Sequence, residues 1–140
     1  MKTKKGDIFE ICLDSGKVAF AQALNEPEFA FFEVSPVDKN PNTIFRLWVH
    51  KSALKEWSRI GNKELTADLE TEVPRFKQDP INGSLSIYKG GKERSATTEE
   101  IKGLECAAVW DGNHIKDRLS DHLEGKENKW LISLQPKING

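Results

Sequence analysis

Three histidines and two cysteines are the side chains of this chain best suited to acid–base, metal or nucleophilic chemistry. His114 and His122 share one stretch with Asp117 and Asp121. His114 and Asp117 are three apart and Asp117 and Asp121 four apart, so on a helix each pair meets on one face. Such a face could move a proton or hold a metal. Lys116 and Arg118 sit among these residues, and the opposite stripe is apolar. The face therefore reads as a solvated surface laced with ion pairs rather than a metal site. Cys12 and Cys106 lie far apart, with no CxxC or Cys/His spacing. Both have apolar neighbours and no nearby base, so they read as small buried hydrophobes.

Other chemical signatures are missing from the sequence. Gly90-Gly91 lies in a hairpin-like setting with no helix following at motif spacing, so no phosphate cradle is expected. There is no GxSxG elbow and no HExxH pair. Arg75-Phe76-Lys77 is the nearest approach to a basic–aromatic nucleic-acid motif, and it is three residues long and isolated. No catalytic residue, metal site or cofactor is expected.

Binding offers more. Trp48 shares one strand face with Arg46 and His50, which makes it the best placed of the four tryptophans to be partly exposed. Trp57 comes second, and the default for each tryptophan is burial. From Glu99 to Glu127 there are eight acids and four lysines or arginines. That surplus could steer a basic partner, with Asp117, Asp121 and Glu124 as contacts, or simply solvate a helix.

The elements holding these residues follow from pattern. The chain has 140 residues, long enough to bury roughly two-thirds of its unfolded surface as one domain spanning 1–140. With 37% apolar and 31% charged residues it is a globular mix. A net charge of −1 argues against a dedicated nucleic-acid binder. No apolar run is long enough for a bilayer, and none follows the basic N-terminus, so a cytoplasmic protein without membrane contact is expected.

IFEICL and KVAFAQAL alternate around Asp14-Ser15-Gly16 and predict a hairpin. EFAFFEV is apolar on both faces and predicts a covered strand. TIFRLWVH turns Phe45, Leu47 and Val49 one way and Ile44, Arg46, Trp48 and His50 the other. KSALKEWSRIG predicts a short helix capped by Ser52. The stretch 62–84 reads as irregular, with one short strand near Leu65 to Leu69. LSIYK predicts a strand followed by a tight turn, and Thr97 or Thr98 a helix start. AAVW fits either a helix or a strand. Ile115, Leu119 and Leu123 form an apolar stripe on the clearest helix, opened by Asp111 or Asn113 and closed by Gly125. WLISLQ predicts a closing strand. The expected class is α+β: an antiparallel, strongly twisted sheet or small half-open barrel, then two or three helices and a C-terminal strand.

The opening KKGDIFEICLDSGKVAFAQAL, with Gly6, Asp7, Phe9, Ile11, Leu13, Gly16, Ala19 and Phe20, resembles the start of the immunity protein 26 family of bacterial polymorphic-toxin systems. Trp57, Ile60 and Gly61 are similar to that family's tryptophan followed shortly by Ile-Gly. The likeness covers roughly residues 5 to 65 and is vaguer from Pro74 to Trp130. Ala21 stands where a common variant has glycine. The resemblance implies a small cytosolic β-rich protein, not an enzyme, that binds and neutralises a cognate toxin domain. It transfers no binding residue by position. The contacts expected from the residues themselves are Arg46, Trp48 and His50, or Asp117, Asp121 and Glu124. A small-ligand or peptide-binding barrel module is the alternative, and a hydrolase built on His114 a distant third.

Overall fold

A computed structural model describes residues 3–137. Two sheets and four helical segments make a mixed α+β architecture. Strands β1 (Asp7–Cys12), β2 (Val18–Ala23), β3 (Glu28–Phe32) and β4 (Phe45–Val49) form the antiparallel meander that the alternation predicts. Gly16 takes φ +87° in the first turn, a conformation that costs any residue with a Cβ. Strand β5 (Ser58–Asn62) pairs with β1 and the two-residue β10 (Val109–Trp110) runs parallel to β4. These add the edges of a six-stranded order β10-β4-β3-β2-β1-β5. The sheet is strongly twisted and does not close into a barrel.

The inner face carries the main core. Phe9, Ile11, Phe29, Phe31 and Leu47 pack with Trp57, Trp110, Ile115 and Leu119. Trp57 meets the rings of Phe9, Phe29 and Phe31 at 5.5–6.0 Å between centroids, partly edge-on. Ala19, Ala21 and Ala23 are the small residues of β2 on this face, leaving room for that cluster. The opposite face buries Phe20, Leu24, Ala30 and Phe32 beneath Leu69 of α1 (Ala67–Glu70). Both faces of β3 are thus covered, as its apolar run predicts.

After β4 a 3-10 helix, Lys51–Glu56, fills the short-helix position. Its cap is His50 rather than Ser52: the imidazole accepts from the Ser52 amide at 3.2 Å. Helix α2 (Gly112–Leu123) begins at Asp111, whose carboxylate accepts from the His114 amide, and stops at Gly125 with φ +68°. A Cβ on Gly112 would come within 3.1 Å of Ala53, so the glycine permits close approach of α2 to the 3-10 helix.

A second sheet, in the order β8-β7-β6-β9, was legible only at LSIYK. It contains β6 (Arg75–Gln78), β7 (Leu85–Lys89), β8 (Lys92–Ser95) and β9 (Glu105–Cys106). Gly90 and Gly91 form its β7–β8 turn, both at positive φ.

Several local expectations are corrected. WLISLQ is not a closing strand: Lys129–Ser133 is a short helix, α3, capped by the Asn128 side chain at 2.9 Å from the Leu131 amide. The strand expected near Leu65 to Leu69 is replaced by the turn of α1. Thr97 and Glu100 do exchange the two hydrogen bonds of a capping box, at 3.0 and 3.3 Å. No helix follows them, because Gly103 takes φ +79° within the next turn and releases the chain into β9. Cys12 is exposed rather than buried, at the end of β1, and Cys106 is half-buried. Burial, with the Glu105 charge beside it, pushes the Cys106 thiol above its ordinary pKa.

Candidate binding cleft

The alternation along β4 puts Phe45, Leu47 and Val49 into the core and leaves Arg46 and Trp48 on the outer face, only partly exposed. Arg46 donates to Glu28 of β3 at 2.8 Å, and its other terminal nitrogen reaches the Thr71 carbonyl at 2.9 Å. Arg75 opens β6 and is 2% exposed. It donates to the second oxygen of the same Glu28 carboxylate at 2.7 Å. Its guanidinium lies 4.9 Å from the centre of the Trp48 ring. Tyr88 of β7 meets Trp48 edge to face at 5.7 Å and 86°. One carboxylate and one indole thus join the small sheet to the outer face of the large one.

Around these groups lies a cleft of about 190 Å³, bounded also by Glu72, Gly90 and the Asn25–Pro27 turn. Glu72 rests against Gly90, where a Cβ would come within 2.6 Å of its carboxylate. The glycine pair therefore does two things: it makes the hairpin turn and leaves space for that acid.

The sequence-predicted contacts divide. Arg46 and Trp48 belong to this region, Arg46 as an ion-paired support and Trp48 as a wall. His50 is exposed and does not line the cleft; its ring caps the 3-10 helix and touches Ser52 Oγ at 2.8 Å. Trp57, the second expected surface anchor, is 5% exposed and belongs to the core. Arg75 and Tyr88, which also line the cleft, were not among the expected contacts. Their signal was present, since Arg75-Phe76-Lys77 and LSIYK both stand out, but nothing local to either showed that they meet.

The acids of α2 are engaged by the chain itself. Asp117 accepts from Trp130 Nε1 and Asp121 from Asn128 Nδ2, each at 2.9 Å. Glu124 pairs with Lys126 at 3.0 Å, which holds its carboxyl below the usual range. His114 stacks on Trp130, with centroids 3.6 Å apart. Seven of the eight acids between Glu99 and Glu127 already meet a donor within this chain. The helix face is also less solvated than expected. Arg118 is 7% exposed, grips Glu105 with two bonds of 2.9 and 2.6 Å, and lies over the Phe45 ring at 4.0 Å. Among the described residues no group of three or more His, Cys, Asp or Glu side chains is placed to hold a metal ion. No described helix is long and apolar enough to cross a membrane.

Gly6 and Asp7, two of the residues on which the resemblance was drawn, occupy structural positions. Gly6 takes φ +92°, and a Cβ there would lie 2.5 Å from the Lys63 carbonyl. Asp7 is 1% exposed. Burial alone would raise its carboxyl, but bonds from Asn62 and the Lys4 amide, with the Arg59 charge, hold it below the ordinary value. No family model matches the chain, and no curated protein or solved structure matches it either.

Proposed function

We propose that the chain is an immunity-type protein, which binds a cognate bacterial toxin domain and neutralises it by steric and electrostatic occlusion. The observation that supports this most is the convergence of Trp48, Tyr88 and Arg75 on one cleft. Trp, Tyr and Arg are the side chains that most often dominate protein–protein binding energy. Here Arg75 is held by its ion pair with Glu28, and Trp48 packs against both Arg75 and Tyr88, so little ordering cost remains to be met on binding. The likeness of residues 5 to 65 to immunity protein 26 supplies the kind of partner. In this reading the protein acts in the cytoplasm, by binding and not by catalysis. The cleft volume of about 190 Å³ favours a protruding side chain of a protein over a free small molecule. Drug-sized ligands occupy pockets of roughly 300–1,000 Å³.

The test is affinity capture from the native bacterium, with wild-type protein and Trp48→Ala as paired baits. The expected result is one stoichiometric partner, the C-terminal part of a large secreted protein, toxic when expressed alone. Wild-type protein should rescue growth. Loss of a hot-spot tryptophan costs about 2 kcal/mol or more, so Trp48→Ala should bind roughly thirtyfold more weakly. Undiminished rescue by a folded Trp48→Ala protein would remove the cleft from the contact surface.

A further inference from the structure

The loop from Asp79 to Ser84 joins β6 to β7 and carries Ile81 at its tip. Ile81 is 95% exposed, whereas the other exposed large aliphatic side chains among the described residues lie between 37% and 56%. The loop beneath it is closed on itself. The Asp79 amide donates to the Ser84 carbonyl and the Gly83 amide to the Asp79 carbonyl, each at 2.9 Å. The Asp79 carboxylate accepts from the Ile81 and Asn82 amides at 2.8 and 3.1 Å. The Asn82 side-chain oxygen accepts from the Ser84 amide at 2.8 Å. Pro80 has no N–H and a fixed φ. Every main-chain donor from Asp79 to Ser84 is therefore engaged within the loop.

Exposed loop tips are ordinarily polar and mobile. This one is tightly bonded, and its branched aliphatic chain lies almost wholly in water, outside every hydrophobic cluster. Such a side chain adds no burial to the fold. We infer that Ile81 is an anchor, which the hairpin tip inserts into an apolar socket of the partner protein in the same complex that covers the Trp48–Tyr88 cleft. This rests on the function proposed above, and it names a second contact and the surface that the partner must offer.

Geometry places both contacts under one partner. Arg75 pairs with Tyr88 at the cleft end of β6 and β7, and Gln78 with Leu85 at the loop end. Three residue steps separate these pairs, roughly 10 Å of strand. An interface of about 800 Å² on each side is roughly 30 Å across. Between the two ends lie Lys77, Ser86 and Glu93. Glu93 accepts from Lys77 at 3.2 Å and from Ser86 at 2.9 Å, and the Lys77 ammonium lies 4.8 Å from the centre of the Tyr88 ring. The strip is polar with its charges paired, which suits the surround of an apolar anchor. A locked loop loses little freedom on binding, so most of the gain from burying the isoleucine is kept. One aliphatic side chain is too little to hold a membrane, and the Asp79 carboxylate beside it opposes an anionic bilayer surface.

The test compares wild-type protein, Ile81→Ser and Ile81→Val, with the purified toxin domain recovered by the wild-type bait as the probe. Both variants should keep the wild-type denaturant midpoint, since nothing packs on the side chain. Ile81→Ser should bind the domain about tenfold more weakly or worse, and Ile81→Val, one methylene shorter, within about fourfold of wild type. On a methyl-labelled chain, the Ile81 signal should shift in the complex and show contacts to the partner's aliphatic protons. Equal affinity of Ile81→Ser and wild type, with Trp48→Ala weakened, would overturn this inference and leave the proposed function standing. Recovery of no domain by the wild-type bait would sink both. A lower denaturant midpoint for Ile81→Ser would give the side chain a folding role and overturn the inference as well. Sedimentation of the chain alone, and with vesicles of phosphatidylethanolamine and phosphatidylglycerol, addresses other occupants. A dimer or a vesicle complex that Ile81→Ser abolishes would assign the tip to a second copy or to a membrane, and either result overturns the partner socket.

Discussion

Asp7 shows how much one residue can hold. Its carboxylate joins the start of β1 to Asn62, at the end of β5, and to Arg59 within it. The folded-state pKa lies below the unfolded one, so the native state binds fewer protons in the acid range. The stabilisation is therefore complete above the unfolded value of about 4 and is lost as pH falls through the folded value. Asp7→Asn should lower stability at neutral pH by about 1–3 kcal/mol and flatten the acid limb of a stability-versus-pH curve. Denaturant melts at pH 7 and pH 3 check both parts; an unchanged acid limb would assign that limb to other groups. At this scale the sequence was legible where a residue's role is local. A cap at Asp111 or Asn113 (the structure shows Asp111), Gly16 in its turn and Gly125 at the helix end follow from short-range rules. His50 was misplaced because a side chain can reach a neighbouring amide from either side of a helix start, and Ser52 sat equally near.

Among the elements, α2 and α3 form a coupled pair. Trp130 donates to Asp117 and stacks on His114, while Asn128 both caps α3 and reaches Asp121. A five-residue helix has almost no stability of its own, so α3 depends on these contacts. Asn128→Ala should cost about 1–2 kcal/mol, with amide exchange rising in Lys129–Ser133 before it rises in α2. Uniform exchange across both helices would show that α3 is held by its apolar contacts instead. Arg118 makes the complementary case. Removing it leaves Glu105 without its partner and uncovers Phe45 and Trp110. Glu105 keeps some solvent, so Arg118→Ala should cost about 2–3 kcal/mol, less than a fully buried pair, read as a lower denaturant midpoint. The strand expected at WLISLQ failed because apolar spacing over six residues fits either period, and the local bond from the Leu131 amide to the Asn128 side chain decides for a helix.

Across the whole molecule, Glu28 is the joint between the sheets. It pairs through one oxygen with Arg46 of the large sheet and through the other with Arg75 of the small one. Glu28→Gln would leave the buried Arg75 guanidinium and the partly buried Arg46 facing a neutral amide, a loss on the order of 3 kcal/mol. The expected readout is hydrogen exchange: β6–β8 lose protection while β1–β4 keep theirs. Equal loss in both sheets would mean that they unfold as one unit and that the joint is not their weakest link.

What the sequence determined by itself is what short-range physics encodes. Period-two alternation set the β1–β4 meander and put Arg46 and Trp48 on the face away from the core, and the spacing of Ile115, Leu119 and Leu123 set α2. The nearly unbroken apolar run of EFAFFEV also implied that β3 is covered on both sides. Only the tertiary structure decided which distant charges meet. Glu28 and Arg75 are 47 residues apart, and nothing local to either names the other. The same holds for the edges β5 and β10, each short and paired to a strand far away in the chain. It holds most clearly for the acids of α2. Their surplus looks like a free surface in the sequence, because composition counts charges but not the donors that folding brings to them.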